Sequence, residues 1–303
     1  MTTCFITTSN QWRDHTPRSM PAEAAVTGAL LCPPEHFDVV DIRNAHMEGQ
    51  IGSIDKQLAH SQWTALVDAI ESLGLSIHLL PARLHLVDSV FTANPSLVTN
   101  DSDGNPCAII GRMSHPNRTE ENALHRIALE EIGVRCEELP PECEGCWEGN
   151  GDTLKHPGRA VIWCGVGSRS SAACHRQAGF ILGHDVALLN LTDPCFYHLD
   201  TALAIIDRNR AAVVRRAFDD EGLALLEEAF EQLIEVDESE AMEQLAGNLW
   251  CPDGQHVLMP SNAPVTRERL IQQQLDVVQL DTGEFLKSGG SVFCMRQEIR
   301  ESV

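Results

Sequence analysis

Near its carboxyl end the chain reads SGGSVFCMRQEI over residues 288–299, which places Cys294 between Phe293 and Met295. A thiol in apolar company commonly fills core space. Gly289 and Gly290 just before it argue instead for backbone that approaches a ligand closely. Three other stretches set reactive polar residues at the ends of apolar runs: DSVFTANPSLV with Asp88 and Asn94, CWEGNGDTL with Glu148 and Asp152, and YHLDTALAIID with His198 and Asp200. His198 taken alone is equally a core histidine, but in an extended stretch it shares one face with Asp200. Glu148 follows Trp147, and in an apolar pocket its pKa would rise, which suits proton transfer. One cysteine with a distant histidine and an acid is the set expected of a thiol nucleophile. Several carboxylates around it favour a planar cation, for which a guanidino group attacked at its central carbon is the natural candidate.

Such residues need rigid elements to hold them. From Leu30 the sequence alternates strand-like and helix-like texture. GALLCPPEHFDVV reads as a strand stopped by prolines, and Ile54, Leu58, Trp63, Leu66 and Ile70 follow near helical spacing up to a stop at Gly74. CAIIG with a helix carrying Ala123, Ile127 and Ile132, AVIWCGVG with SRSSAACHRQAGFILG, FDDEGLALLEEAFEQL with LIEVD, and HVLMPSNAPVTRERLIQQQLDVVQLD repeat the rhythm. About five modules of roughly 50 residues fit, a quasi-repeated α/β architecture. Residues 1–30 read as an extension rather than a core element, and no Ser/Gly-rich linker divides residues 31–303, so a single domain is expected.

Composition narrows the partners. The chain of 303 residues carries 22 Lys and Arg against 44 Asp and Glu, has no basic run and holds one tyrosine, which argues against nucleic acid. The negative field favours a small cationic ligand. No run approaches the ~18 apolar residues of a membrane span, and the start has no signal-peptide pattern, so a cytoplasmic protein is expected. Eleven cysteines in such a chain are expected to be mostly reduced and packed as small hydrophobes. CEGC at 143–146, with Cys136 and His156 nearby, raises zinc or redox chemistry but lacks the second pair of a zinc site and a thioredoxin-like setting. NPSLVTNDSDGN lacks calcium-loop spacing and reads as a turn.

Seven stretches, VFTANPSLV, GRMSHPNRTEE, WEGNGDTL, GSRSS, HLDTALAIID, LAGNLW and SGGSVFCM, occur in the order seen in the guanidino-group-modifying, pentein-fold superfamily, which the chain resembles from about residue 30 to 298. That superfamily includes arginine deiminases, dimethylarginine hydrolases, arginine dihydrolases and amidinotransferases. The resemblance implies a five-bladed α/β propeller of pseudo-fivefold ββαβ modules with the site on its axis, and no metal or cofactor. It implies Cys294 as nucleophile, His198 as general acid and base, and Glu148 as the acid partnering His198. Asp200 resembles a second guanidinium ligand, a position that hydrolases of methylated arginine tend to lack. Arg118 and Arg169 resemble the arginines that hold the substrate's α-carboxylate, with Arg112 a helper.

Two departures bear on substrate. Deiminases and dimethylarginine hydrolases usually carry Asp where this chain has Asn94, and the Asn version is similar to dihydrolases that remove two ammonias. RNAHM at 43–47 also looks like a dihydrolase segment in which Asn44 lines the pocket. Glu148 precedes Asp152 by four residues where the commoner motif uses three, a spacing also found in the Asn-bearing subgroup. The expected activity is hydrolysis of arginine or an N-substituted arginine through an amidino-Cys294 intermediate. Dimethylarginine hydrolysis to citrulline and dimethylamine, amidino transfer to an amine, and a noncatalytic binding role are the alternatives. A homo-oligomer is compatible with all of them.

Overall fold

A computed structural model describes residues 3–15, 17–19, 25–101 and 105–300. The turn expected over NPSLVTNDSDGN needs correction: Ser96–Asn100 form a buried strand paired with Pro106–Ile110, because Leu97 and Val98 pack into the core, and 102–104 lie outside the described residues. The chain starts with β1 (Phe5–Ile6) and α1 (Ser9–Asp14). β2 (Val26–Leu31), α2 (Lys56–Ser72) and β3 (Ser76–Leu79) form a parallel crossover unit, because parallel neighbours need a connection long enough to run back along the sheet. β4 (Ser96–Asn100) then pairs antiparallel with β5 (Pro106–Ile110), and α3 (Thr119–Glu131) crosses to parallel β6 (Arg135–Glu138). After the short α4 (Gly149–Asp152), the pattern returns in β7 (Thr153–Lys155), β8 (Val161–Val166), α5 (Ala172–Leu182) and β9 (Asp185–Asn190). It returns again in β10 (Leu203–Ile205), β11 (Arg210–Val213), α6 (Asp220–Ala229) and β12 (Gln232–Glu235).

The last unit runs through α7 (Glu238–Gln244), β13 (His256–Pro260), α8 (Pro264–Gln272) and β14 (Asp276–Leu280), with Trp250 bridging antiparallel to Leu258 in place of a longer first strand. After α9 (Gly283–Leu286), β15 (Gln297–Arg300) pairs antiparallel with β2. The first unit therefore takes its antiparallel strand from the far end of the chain. Five sheets result among the described residues, each small, with the inner strands β4, β5 and β8 almost wholly buried. Strands covered on both faces read as continuous apolar runs, as CAIIG and AVIWCGVG do. Among the described residues no helix is long and apolar enough to cross a membrane.

Further expectations need correction. Part of the segment read as an extension belongs to the core: β1 adds to β9, Ile6 and Trp12 are buried, and the Trp12 and Trp163 ring centroids lie 5.3 Å apart. Its polar composition hides two apolar anchors spaced six residues apart. The buried face of α3 is also rotated from the apolar one. Glu121, His125 and Leu129 point inward while Ile127 is exposed, because Glu121 pairs with Arg118 and His125 meets the Ser96 hydroxyl at 3.0 Å. Leu58 on α2 is likewise exposed, and Ala59, Trp63, Leu66 and Ile70 make the inward stripe. The stops at Gly74 and Gly133 hold, both at positive φ, where a side chain would be strained.

Candidate active site

Cys294 lies on a turn between α9 and β15, not on a strand. Gly289 takes φ +85°, and at Gly290 an added Cβ would fall 2.2 Å from the Phe91 ring, so both glycines are required by the approach of this turn to its neighbours. The turn is pinned by Asn248, whose Oδ1 accepts from Ser291 N at 3.1 Å and Cys294 N at 3.2 Å. Asn248 Nδ2 donates to Asp200 O at 3.0 Å and to Cys294 Sγ at 3.2 Å. One amide thus fastens the Cys294 turn and Asp200 together.

The Cys294 thiol donates to Asp200 Oδ2 at 3.1 Å, and Asp200 Oδ1 has no partner. Burial pushes the Asp200 pKa up to about 7. Burial, then the adjacent Asp200 carboxylate, pushes the Cys294 thiol well above its ordinary value. His198 and Asp200 do not share a strand face: His198 caps a 3-10 turn, Leu199–Thr201, which swings Asp200 to the thiol and leaves His198 facing Glu148.

His198 Nε2 lies 2.7 Å from Glu148 Oε2, both buried. A carboxylate there makes Nε2 the protonated nitrogen. Glu148 Oε1 accepts from Ser114 N at 3.0 Å and from the Ser114 hydroxyl, and Arg169 Nη1 stands 3.5 Å from Oε2. Burial alone would raise the Glu148 pKa, but the hydrogen bond and charge of His198, with Arg169 and Arg118, hold it well below the ordinary carboxylate range. The rise expected from an apolar pocket is overturned, since the pocket is lined with cations. Asp152 accepts from the Ser170 hydroxyl at 2.6 Å and from Leu199 N at 3.0 Å, while Ser170 Oγ accepts from Glu148 N at 2.9 Å. Asp152 and Ser170 therefore set the spacing between Glu148 and His198.

A narrow cavity of about 20 Å³ reaches Cys294 and His198 and is lined also by Asn94, Arg169, Arg43 and Tyr197. A larger cleft of about 500 Å³ lined by Trp250, Asp253 and Glu298 contains neither thiol nor imidazole of the site. Asn94 Oδ1 accepts from Arg118 Nη1 at 2.9 Å, and its buried Nδ2 has no partner. The Arg118 contact fixes which way the amide points. Arg118 spends Nε and Nη2 on Glu121, at 3.0 and 2.7 Å, and gives Nη2 also to Phe91 O at 3.1 Å. Its donors are directed mainly at the protein, and it serves to orient Asn94. Arg169 reaches the cavity, stacked over the Tyr197 ring at 5.0 Å. Asn44 lines the cavity too, with Nδ2 donating to Ser288 O at 3.1 Å.

Arg112 is not brought to the site. Its guanidinium donates to the carbonyls of Leu139, Pro140 and Cys143 and clasps that loop. Nor are Cys136 and His156 gathered with CEGC: Cys136 Sγ faces the Val134 carbonyl, and His156 sits between Trp163 Nε1 and Arg208 O. Asn248, Ser170, Arg43 and Tyr197 are contributions that motif spacing did not single out. All four lie inside quoted stretches, and for Asn248 and Ser170 a polar residue enclosed by small and apolar ones was the available signal.

Residues 37–301 match the family described as N,N dimethylarginine dimethylhydrolase, eukaryotic. An N(G),N(G)-dimethylarginine dimethylaminohydrolase of Mycobacterium tuberculosis is 32% identical over 89% of this chain and 84% of its own length. The bifunctional arginine dihydrolase/ornithine cyclodeaminase ArgZ of Synechocystis is 29% identical over 90% of this chain, which spans 38% of that protein. The solved N-terminal domain of ArgZ bound to substrate superposes with a TM-score of 0.83, at 29% identity, covering 90% of this chain and 98% of that one. A dimethylarginine dimethylaminohydrolase adduct with S-methyl-L-thiocitrulline superposes at 0.73, at 25% identity, covering 90% and 100%. The architecture and its thiol, imidazole and carboxylates define a guanidino-group-modifying enzyme of the pentein superfamily. With its relatives among the dimethylarginine hydrolases and arginine dihydrolases of that superfamily, it is a hydrolase of C–N bonds in linear amidines. Within that class, the chain belongs to the N,N dimethylarginine dimethylhydrolase family.

Proposed function

We propose that this enzyme hydrolyses the guanidino group of L-arginine or an N-substituted arginine through a covalent amidino-Cys294 intermediate, releasing ammonia in two rounds. The observation that carries the reading is the buried Asp200 carboxylate, with one oxygen holding the Cys294 thiol proton and the other unpartnered. An entering guanidinium supplies N–H donors and positive charge to both, which ionises Asp200 and favours the thiolate. The thiolate then attacks the guanidino carbon. With Nε2–H committed to Glu148, His198 exchanges protons through Nδ1, protonating the departing nitrogen and then deprotonating the water that resolves the adduct. The product of this round is a ureido compound. A second thiolate attack, at the ureido carbon, expels the second ammonia and leaves a carbamoyl-Cys294 adduct, which a second water hydrolyses to ornithine and carbon dioxide, freeing the thiol.

Asn94 supports the second round. Its unpartnered Nδ2 is a donor for a neutral ureido oxygen, where an aspartate would present only acceptors. Arg169 is the arginine best placed for the substrate's α-carboxylate. The five sheets and the pairing of β15 with β2 support a five-bladed propeller closed into one catalytic domain that takes in β1 and β2 together with the chain that follows. The family match and the mycobacterial relative favour a second reading, dimethylarginine hydrolysis to citrulline and dimethylamine. Asp200 weighs against it, because a carboxylate hard against the reacting nitrogens leaves little room for two methyl groups. Incubation with arginine, monomethylarginine, dimethylarginine and succinylarginine, scored by mass spectrometry for citrulline, ornithine and a trapped amidino adduct, separates the readings. Dimethylamine as the preferred product would overturn the first.

A further inference from the structure

Away from the catalytic groups, two buried thiols from distant parts of the chain touch. Cys143 Sγ and Cys174 Sγ lie 3.1 Å apart across 31 positions of sequence. The CEGC cysteine thus meets a residue on α5 rather than its motif neighbour Cys146. Both flanking backbones are already held together: Ser171 N donates to Cys146 O at 3.0 Å, and the Cys174 thiol lies 3.5 Å from Glu144 O. The Arg112 clasp fixes the Cys143 loop from the other side. Sulfurs 3.1 Å apart must approach by about 1 Å to reach disulfide bonding distance.

We propose that Cys143 and Cys174 are a modification site, forming a reversible intramolecular disulfide that staples the loop leading to Glu148 onto the first turn of α5. The oxidant is a low-molecular-weight disulfide. The Cys143 thiolate attacks one of its sulfurs and expels one thiol, and Cys174 then attacks the mixed disulfide and expels the second. Two protein thiols are oxidised, two small thiols are produced, and two electrons pass to the reagent. Cys143 is the point of entry, being 7% exposed while Cys174 is fully buried. Burial and the contact with Cys174 push the Cys143 thiol up to about 11, so the exchange is faster in mildly alkaline solution. Ser170 and Ser171, which precede α5, already bond Glu148 N and Cys146 O, so the staple reinforces existing contacts and leaves the Glu148 to His198 geometry in place. The inference stands whether or not arginine is the substrate.

The test is oxidation of the full chain carrying Cys294→Ser, which keeps the nucleophile out of the exchange. After treatment with oxidised glutathione, remaining thiols are alkylated and peptides mapped by mass spectrometry. The expected result is a Cys143–Cys174 cross-linked peptide lacking two hydrogens, and an unfolding midpoint raised by roughly 5 °C for a loop of this length. Dithiothreitol should reverse both, and adding Cys143→Ala should remove the rise. Alkylation of both cysteines separately, glutathione adducts without the cross-link, or a cross-link with no rise in midpoint would each overturn the proposal. The peptide map holds even if the alanine variant folds poorly.

Discussion

Replacing Asn94 by aspartate probes the number of hydrolytic rounds. The side chain is 2% exposed, keeps its size on substitution, and retains an oxygen for Arg118 Nη1, so the fold should survive. What changes is the second atom, from an unpartnered donor to a charged acceptor. Toward a guanidinium the variant gains a charge-assisted bond, about 1.5–3 kcal/mol. Toward a ureido oxygen it loses a donor and sets two acceptors together, about 1–3 kcal/mol. The second cost corresponds to roughly a 5- to 150-fold fall in kcat/KM for citrulline, while arginine consumption holds or improves. Quenched time courses with arginine, quantified by mass spectrometry, should show ornithine from the unmodified protein and accumulating citrulline from Asn94→Asp. An unchanged citrulline-to-ornithine ratio would refute the argument about Nδ2, and citrulline alone from the unmodified protein would remove its premise.

Cys294→Ser should cut turnover by at least about a thousandfold without shifting the far-UV circular dichroism, because the hydroxyl can still donate to Asp200; ordinary turnover would exclude the thiol as nucleophile. Glu148→Gln removes the charge facing His198 and should cost about 10²–10⁴-fold in kcat/KM. Since the folded-state pKa of Glu148 is depressed from 4.5, its stabilisation is present above that value and is lost as pH falls. The unfolding midpoint of Glu148→Gln should accordingly fall less steeply under acid than that of the unmodified protein, and parallel acid profiles would contradict the assignment. Asp200, with its pKa near 7, is neutral and unable to grip a cation in more acid solution. Calorimetric binding of arginine to Cys294→Ser should weaken by about tenfold per pH unit below 7 and level off above it, and a flat profile would discard this role. The stability share tied to the raised Asp200 pKa is present below 3.8 and lost as pH rises through 7, so Asp200→Asn should melt above the unmodified protein at alkaline pH.

Much of this protein is written in short-range chemistry. Strand and helix alternate because apolar spacing and glycine stops act over a few residues, and α2 ends at Gly74 for that reason. Cys294, His198, Glu148, Asp200 and Asn94 were nameable because reactive residues interrupting apolar runs are costly unless used. Quantities that depend on three-dimensional neighbours were not. Whether Glu148 is acidic or basic for a carboxyl depends on His198, 50 positions away. Arg118 is largely committed by Glu121, Asn94 and Phe91, and only packing reveals which of its donors face protein. Ile127 turned outward because polar partners outbid its apolar surface for the inner face of α3. The sequence by itself determined the candidate site residues and the order of elements, since both follow from residue type and local spacing. Tertiary structure alone decided protonation, hydrogen-bond partners and the meeting of Cys143 with Cys174, because these arise from burial and contacts between segments that local physics does not join.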